Sequence, residues 1–285
     1  MEKLTRILAV ANGINDGALV LGKSVALARR FGAHIELMLF NTIGAREFAK
    51  LYAELAYDKV TLASMHQGSE SLTEAILRRV HAIHPDLVVK SPAGAHPLKR
   101  WTLDENDWRL AKECPVPVLL TRHNPWASPI RFAAAVDVSD DENSDTARSI
   151  LHTAGFMAMG CHGNLDILYS EREQNDDVLR MERTVKLAQL VREFHVGCER
   201  IQVFDGAPEQ VLPPLVAARH YDVLVLGAQS HQPALKNIFG ATNSRLVQAT
   251  EGDVVLVNAP GRAIGNAHQD ESTREKGSHE IEQFA

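Results

Sequence analysis

The sequence predicts an α/β protein of two tandem halves, each a five-stranded parallel, doubly wound sheet with flanking helices. Three observations predict it. Continuous apolar runs of about five residues mark strands covered on both faces. Helical stretches with apolar periodicity separate them, the alternation that builds a parallel sheet. The whole succession then recurs about 125 residues further on.

The first run is Ile7-Leu8-Ala9-Val10-Ala11. After Asn12-Gly13 the apolar residues Leu19, Val20, Ala26 and Leu27 predict a helix that closes at Gly32. Ile35-Glu36-Leu37-Met38-Leu39-Phe40 predicts the second strand, residues 45–57 a helix through Phe48, Leu51, Tyr52 and Leu55, and Val60 to Met65 the third strand. Ser71-Leu72-Thr73-Glu74 is a capping box, and Leu72, Ile76, Val80 and Ile83 form the apolar face of the helix it opens. Asp86-Leu87-Val88-Val89 and Val116-Pro117-Val118-Leu119-Leu120 supply the fourth and fifth strands.

In the second half Phe132-Ala133-Ala134-Ala135-Val136 matches the first strand, with Asp137 where Asn12 stood, an offset of 125. Gly206-Ala207-Pro208 matches Gly68-Ser69-Glu70, and Asp222-Val223-Leu224-Val225 matches Asp86-Leu87-Val88-Val89. At the last strand, Val254-Val255-Leu256-Val257, the offset has grown to 137. A longer central helix, from about Asp176 to His195, accounts for the growth. Val178, Met181, Val185, Ala188 and Val191 are expected inward on it, with Gly197 as its stop. Pro213-Pro214 falls inside the next helix and is expected to kink or shorten it. The halves, 1–124 and 130–260, meet in a linker around Asn124-Pro125-Trp126-Ala127-Ser128-Pro129. Residues 261–285 are polar, charged and nearly without branched aliphatics, the composition of a flexible tail.

Composition sets the class. At ~150 residues per domain, 285 residues make about two domains, enough to bury a core without disulfides or metal. The three cysteines, Cys114, Cys161 and Cys198, contain no CxxC pair, which argues for a reducing cytoplasm over a disulfide framework. A net charge of −6 marks no nucleic-acid surface, and no window approaches the ~20 apolar residues of a membrane span.

The second half ends in Leu224-Val225-Leu226-Gly227-Ala228-Gln229-Ser230, then nine residues to Gly240-Ala241-Thr242, a helix and the last strand. This resembles the universal stress protein family, whose members share an apolar strand ending in Asp and a Gly-x2-Gly-x9-Gly-Ser/Thr loop. In the first half Asn106-Asp107-Trp108-Arg109-Leu110, followed by Cys114-Pro115-Val116-Pro117-Val118, is similar to the tandem, E-type subgroup.

The resemblance implies two Rossmann-like domains of the adenine nucleotide alpha hydrolase kind, a stress-response binding role, and ATP with Mg²⁺ as ligand of the second half. It also implies an intrachain pseudo-dimer with the last strands meeting, and leaves room for two chains to pair further. Asp137 occupies the place of the aspartate that contacts adenosine, while Gly227 and Gly240 match the first and third loop glycines. Ser230 stands at the middle glycine and Ala241 at the phosphate-bonding hydroxyl, with Thr242 and Ser244 one and three residues on. Losing one charge-assisted phosphate bond costs roughly 1.5–3 kcal/mol, which predicts weakened binding. In the first half Lys90-Ser91-Pro92-Ala93 replaces the first two glycines, Leu103-Asp104 replaces Gly-Ser/Thr, and Asn12 replaces the aspartate. That half is expected not to hold ATP, since Asp104 would oppose a phosphate.

Two other functions stay open at this point. One is a nucleotide-independent module for an apolar or lipid-like metabolite or a protein partner, and the other is a weak ATPase. The sequence contains no GxSxG elbow and no GxxxxGK[ST] loop, and its thirteen histidines are scattered, so no catalytic or metal residue is assigned.

Overall fold

A computed structural model describes residues 3–12, 14–40, 59–66, 71–92, 103–138, 144–171, 177–194, 200–228 and 241–259. The helix expected over 45–57, the Gly197 stop and the tail lie outside the described residues. The first half runs β1 (Arg6–Asn12), α1 (Ile14–Phe31), β2 (His34–Phe40), β3 (Val60–His66), α2 (Leu72–Ile83), β4 (Leu87–Lys90), α3 (Glu105–Glu113) and β5 (Val118–Leu120). The second runs β6 (Arg131–Ala135), α4 (Ser144–Gly160), β7 (Asn164–Glu171), α5 (Asp177–Glu193), β8 (Ile201–Asp205), α6 (Pro208–Arg219), β9 (Val223–Gly227), α7 (Ala241–Ala249) and β10 (Asp253–Val257).

All ten strands join one sheet in the order β3-β2-β1-β4-β5-β10-β9-β6-β7-β8. Read from its two ends, the order is the same in each half. The halves meet where β5 and β10 pair antiparallel, Leu119 opposite Val255, and every other neighbouring pair is parallel. Helices α1, α4 and α5 pack on one face with Ile7, Leu37, Phe132, Ile167 and Val255. Helices α2, α3, α6 and α7 pack on the other with Leu8, Val88, Leu224 and Leu256. Residues of both halves enter both apolar layers, so the core is continuous across the junction.

Local signals explain the element ends. Ser71 caps α2 by accepting from the Glu74 amide, as the capping box predicts. Gly32 ends α1 at a φ of +69°, a region that glycine enters without a Cβ penalty. Asp86 and Asp222 sit at equivalent places before β4 and β9. Each carboxylate accepts from the chain entering the first strand of its half: the Thr5 and Arg6 amides at 2.7 and 3.0 Å, the Ala127 and Arg131 amides at 2.9 and 2.7 Å.

Two expectations are corrected. Helix α5 turns Val178 (67% exposed), Met181 (71%) and Val185 (49%) outward, whereas Val191 is buried as expected and Leu187 and Leu190 join it in the core. The helix places its buried apolar residues in its C-terminal half, so the upstream stripe stays at the surface. Helix α6 is not shortened by Pro213-Pro214 and spans 12 residues, as many as α2. The carbonyl that the missing Pro213 N–H would have served, Glu209 O, accepts from Arg245 Nη1 at 3.1 Å instead.

The linker is held by a buried polar junction. Asp253, 1% exposed at the start of β10, accepts from the Arg122 amide at 2.6 Å and the Trp126 indole at 2.7 Å, and pairs with Lys23 of α1 at 3.0 Å. The Lys23 ammonium also donates to Asn124 O at 2.8 Å and lies 4.3 Å from the Trp126 ring centre. Beyond β10, Asn258 donates to the Ala111 and Cys114 carbonyls that end α3, at 2.6 and 2.9 Å. On the helical face, Phe31 of α1 stacks on Phe156 of α4 with ring centres 5.1 Å apart.

Candidate functional site

Open parallel sheets bind ligands outside the carboxyl ends of their strands, where the strand order reverses. In this sheet the reversals fall between β1 and β4 and between β6 and β9. The two edges are built differently.

At the first, β1 ends at exposed Asn12 and β4 ends at Lys90. The Lys90 ammonium is buried against the equally buried Asp107 carboxylate, from the first turn of α3. Asp104 is the N-cap of α3 and accepts from the Asp107 amide at 2.8 Å. The first turn of this helix therefore holds three acidic side chains, Asp104, Glu105 and Asp107. Its N-terminal amides and positive dipole end are answered by the chain's own carboxylates, which would repel a phosphate.

At the second, Asp137 stands exposed two residues beyond β6, and the Val136 amide before it still bonds Leu168 O of β7 at 3.1 Å. Gly227 closes β9. A Cβ placed there would come 2.9 Å from Thr146 Cγ2, so α4 packs closely over this glycine and a larger residue would have to push that side chain aside. The Ala228 amide next to it bonds Val257 O at 2.8 Å. Ala241 and Thr242 open α7, Thr242 half-buried, and no acidic residue lies in that first turn. Asn243 ties α7 to β9 by donating from Nδ2 to Gly227 O at 2.8 Å. Ser230 and Gly240 lie outside the described residues. Of the six candidate residues, the described ones thus fall at one strand-end edge: Asp137, Gly227, and Ala241 and Thr242 at the helix start.

Sequence reasoning missed a second group at this edge. Glu171 ends β7, 7% exposed, and pairs with Arg183 of α5. Buried Tyr169 lies two residues before it on the same face of β7. Burial first, then the charges of Glu171 and Asp137, push its phenol up to about 12, against the opposing pull of Arg183. A carboxylate closing a strand reads from sequence as a boundary, and no spacing pairs it with a residue on the following helix. Among the described residues no three His, Cys, Asp or Glu side chains are grouped to hold a metal ion, and no helix is long and apolar enough to cross a membrane.

No protein-family model matches the chain. It is similar to curated proteins named universal stress protein E. The homolog from Haemophilus influenzae is 22% identical over 210 residues, 67% of this chain and 68% of that protein. The protein from Photorhabdus laumondii is 20% identical over 315 aligned positions, 92% of this chain and 97% of that protein. A solved structure from Pseudomonas aeruginosa UCBPP-PA14, provisionally assigned to the universal stress proteins, superposes with a TM-score of 0.73 at 22% identity. That match covers 90% of this chain and 94% of the other.

Proposed function

We propose that this chain, a member of the universal stress protein family, is a stress-response protein that works by binding and conformation rather than by catalysis. Its first domain, residues 1–124, is a structural partner. Its second, residues 130–260, holds an adenine nucleotide, ATP with Mg²⁺. Residues 261–285 follow as a tail.

One observation carries the assignment to the second domain: the asymmetry of the two strand-end edges. Lys90, Asp104 and Asp107 satisfy one another in the first. In the second, α7 opens without a carboxylate in its first turn, beside Gly227 and Asp137. Backbone amides at Ala241 and Thr242 and the Thr242 hydroxyl would hold phosphate, and Asp137 would accept from a ribose hydroxyl. The phosphate oxygens themselves would carry Mg²⁺.

Isothermal titration with ATP and Mg²⁺ tests this. One site per chain is expected, and Asp137→Ala should weaken it about tenfold to a hundredfold, the worth of one charged hydrogen bond. No heat in millimolar ATP, or an unchanged affinity in the variant, overturns the assignment. The outward stripe Val178, Met181 and Val185 favours a second reading, an apolar metabolite or a protein partner. An acyl-chain ligand retained through purification, with no thermal shift in ATP, would support it.

A further inference from the structure

Strands β6 and β7 lie side by side and parallel, with Ala135 opposite Leu168. Their ends place two carboxylates on one edge, Asp137 beyond β6 and Glu171 closing β7. Asp137 is open to solvent, whereas Glu171 is more than nine-tenths buried.

The two oxygens of Glu171 have different fates. Oε1 is held by the Arg183 guanidinium, which fixes the plane of the carboxylate. Oε2 is buried and has no hydrogen-bond partner. A buried carboxylate oxygen left unpaired is costly, and native chains leave few of them. The oxygen can only accept, so the group that completes it is an N–H or O–H donor. The first edge also holds a buried side-chain oxygen without a partner, the Ser91 hydroxyl just after β4, but that group is neutral and can donate as well as accept.

We propose that Glu171 is a specificity residue of the second-domain site, where its Oε2 accepts an N–H from the ligand's base while Arg183 positions the carboxylate. This rests on the reading that a nucleotide occupies that edge. It adds a selection rule: a purine with an exocyclic amine or another N–H on that edge binds, and one presenting only acceptors there does not.

The test compares ATP with purine riboside triphosphate, which has the same shape without the exocyclic amine, by titration calorimetry on the full chain. Wild type should prefer ATP by about tenfold or more, the loss of one hydrogen bond to a charged group. Glu171→Gln keeps the shape and removes the charge, and the preference should shrink to within about twofold. Should that variant fail to fold, Glu171→Asp withdraws the carboxylate by one methylene, and the preference should still fall. Equal wild-type affinities for the two nucleotides overturn the role of Glu171 and leave the ATP site standing. A preference that survives both substitutions also overturns it. Binding of neither nucleotide by wild type overturns the nucleotide reading and this inference with it.

Discussion

Asp253→Asn is the perturbation with the largest consequence that the fold allows to be worked out. The carboxylate serves three donors at once, the Arg122 amide, the Trp126 indole and the Lys23 ammonium, at 2.6, 2.7 and 3.0 Å. Burial raises its pKa against the opposing pull of Lys23 and the donors, and burial likewise lowers that of Lys23 despite Asp253. The ion pair therefore sits where desolvation outweighs attraction, the case in which removing one partner is far worse than removing both. Asparagine keeps one acceptor oxygen but turns an NH₂ toward remaining donors and strands a buried ammonium. A loss of about 3–5 kcal/mol is expected. Lys23→Met in the same chain removes the stranded charge, and the double variant should recover at least ~1–2 kcal/mol of the loss. Urea unfolding followed by tryptophan fluorescence measures all four chains. A single-variant loss under ~1 kcal/mol, or a double variant as weak as the two single losses added, would refute the reasoning.

Gly252→Ala should cost at least about 1–3 kcal/mol, because the added Cβ would stand 2.2 Å from Tyr221 O and 2.6 Å from Asp222 O, backbone atoms that cannot swing away; a wild-type melting temperature would contradict it. Alkaline pH should destabilise the fold. Burial first of all raises the Cys114 thiol to about 12 and the Cys161 thiol to about 11 from 9.0, and the Tyr169 and Tyr221 phenols to about 12 from 10.0. The folded chain keeps protons that the unfolded chain releases, so this stability is complete below pH 9 and is lost as pH rises toward 11–12, first through the thiols and then through the phenols as well. The slope is at most ~1.4 kcal/mol per pH unit for each group; a flat urea midpoint between pH 8 and pH 10.5 contradicts it. ATP at a hundred times its Kd should raise unfolding free energy by about 2.7 kcal/mol, the value for one site; a dependence requiring two sites would mean that Lys90, Asp104 and Asp107 do not close the first edge.

Most of the sheet was legible because parallel strands buried on both faces leave uninterrupted apolar runs, and Ile7 to Ala11 or Val254 to Val257 admit no other reading at that length. The capping box at Ser71 was legible because its logic is local. What was not legible depended on partners far along the chain. Val178, Met181 and Val185 share a helix face as truly as Leu187, Leu190 and Val191 share another, and only the position of the sheet decides which is covered. Proline at 213 reads as a break until Arg245 arrives from another helix to take the freed carbonyl. Lys23 and Asp253 belong to opposite ends of the sequence, and neither is unusual where it stands. Asp137 and Gly227 were singled out by resemblance to a family motif, whereas Glu171 belongs to no motif and carried no signal in the sequence.

The two edges answer their helix starts differently. A phosphate site needs exposed amides at a helix start and no competing anion, an arrangement that weakens the empty fold because those amides go unanswered. In the first half Asp104 supplies the cap and Asp107 supplies the counter-charge for Lys90, so these groups are stabilised without a ligand. Helix α7 lacks such a carboxylate in its first turn, and β7 of the same half carries a buried acceptor without a donor. The second half therefore has more to gain from a ligand. Through the β5–β10 pairing and the Asp253 junction, tightening it would also tighten the seam to the first half.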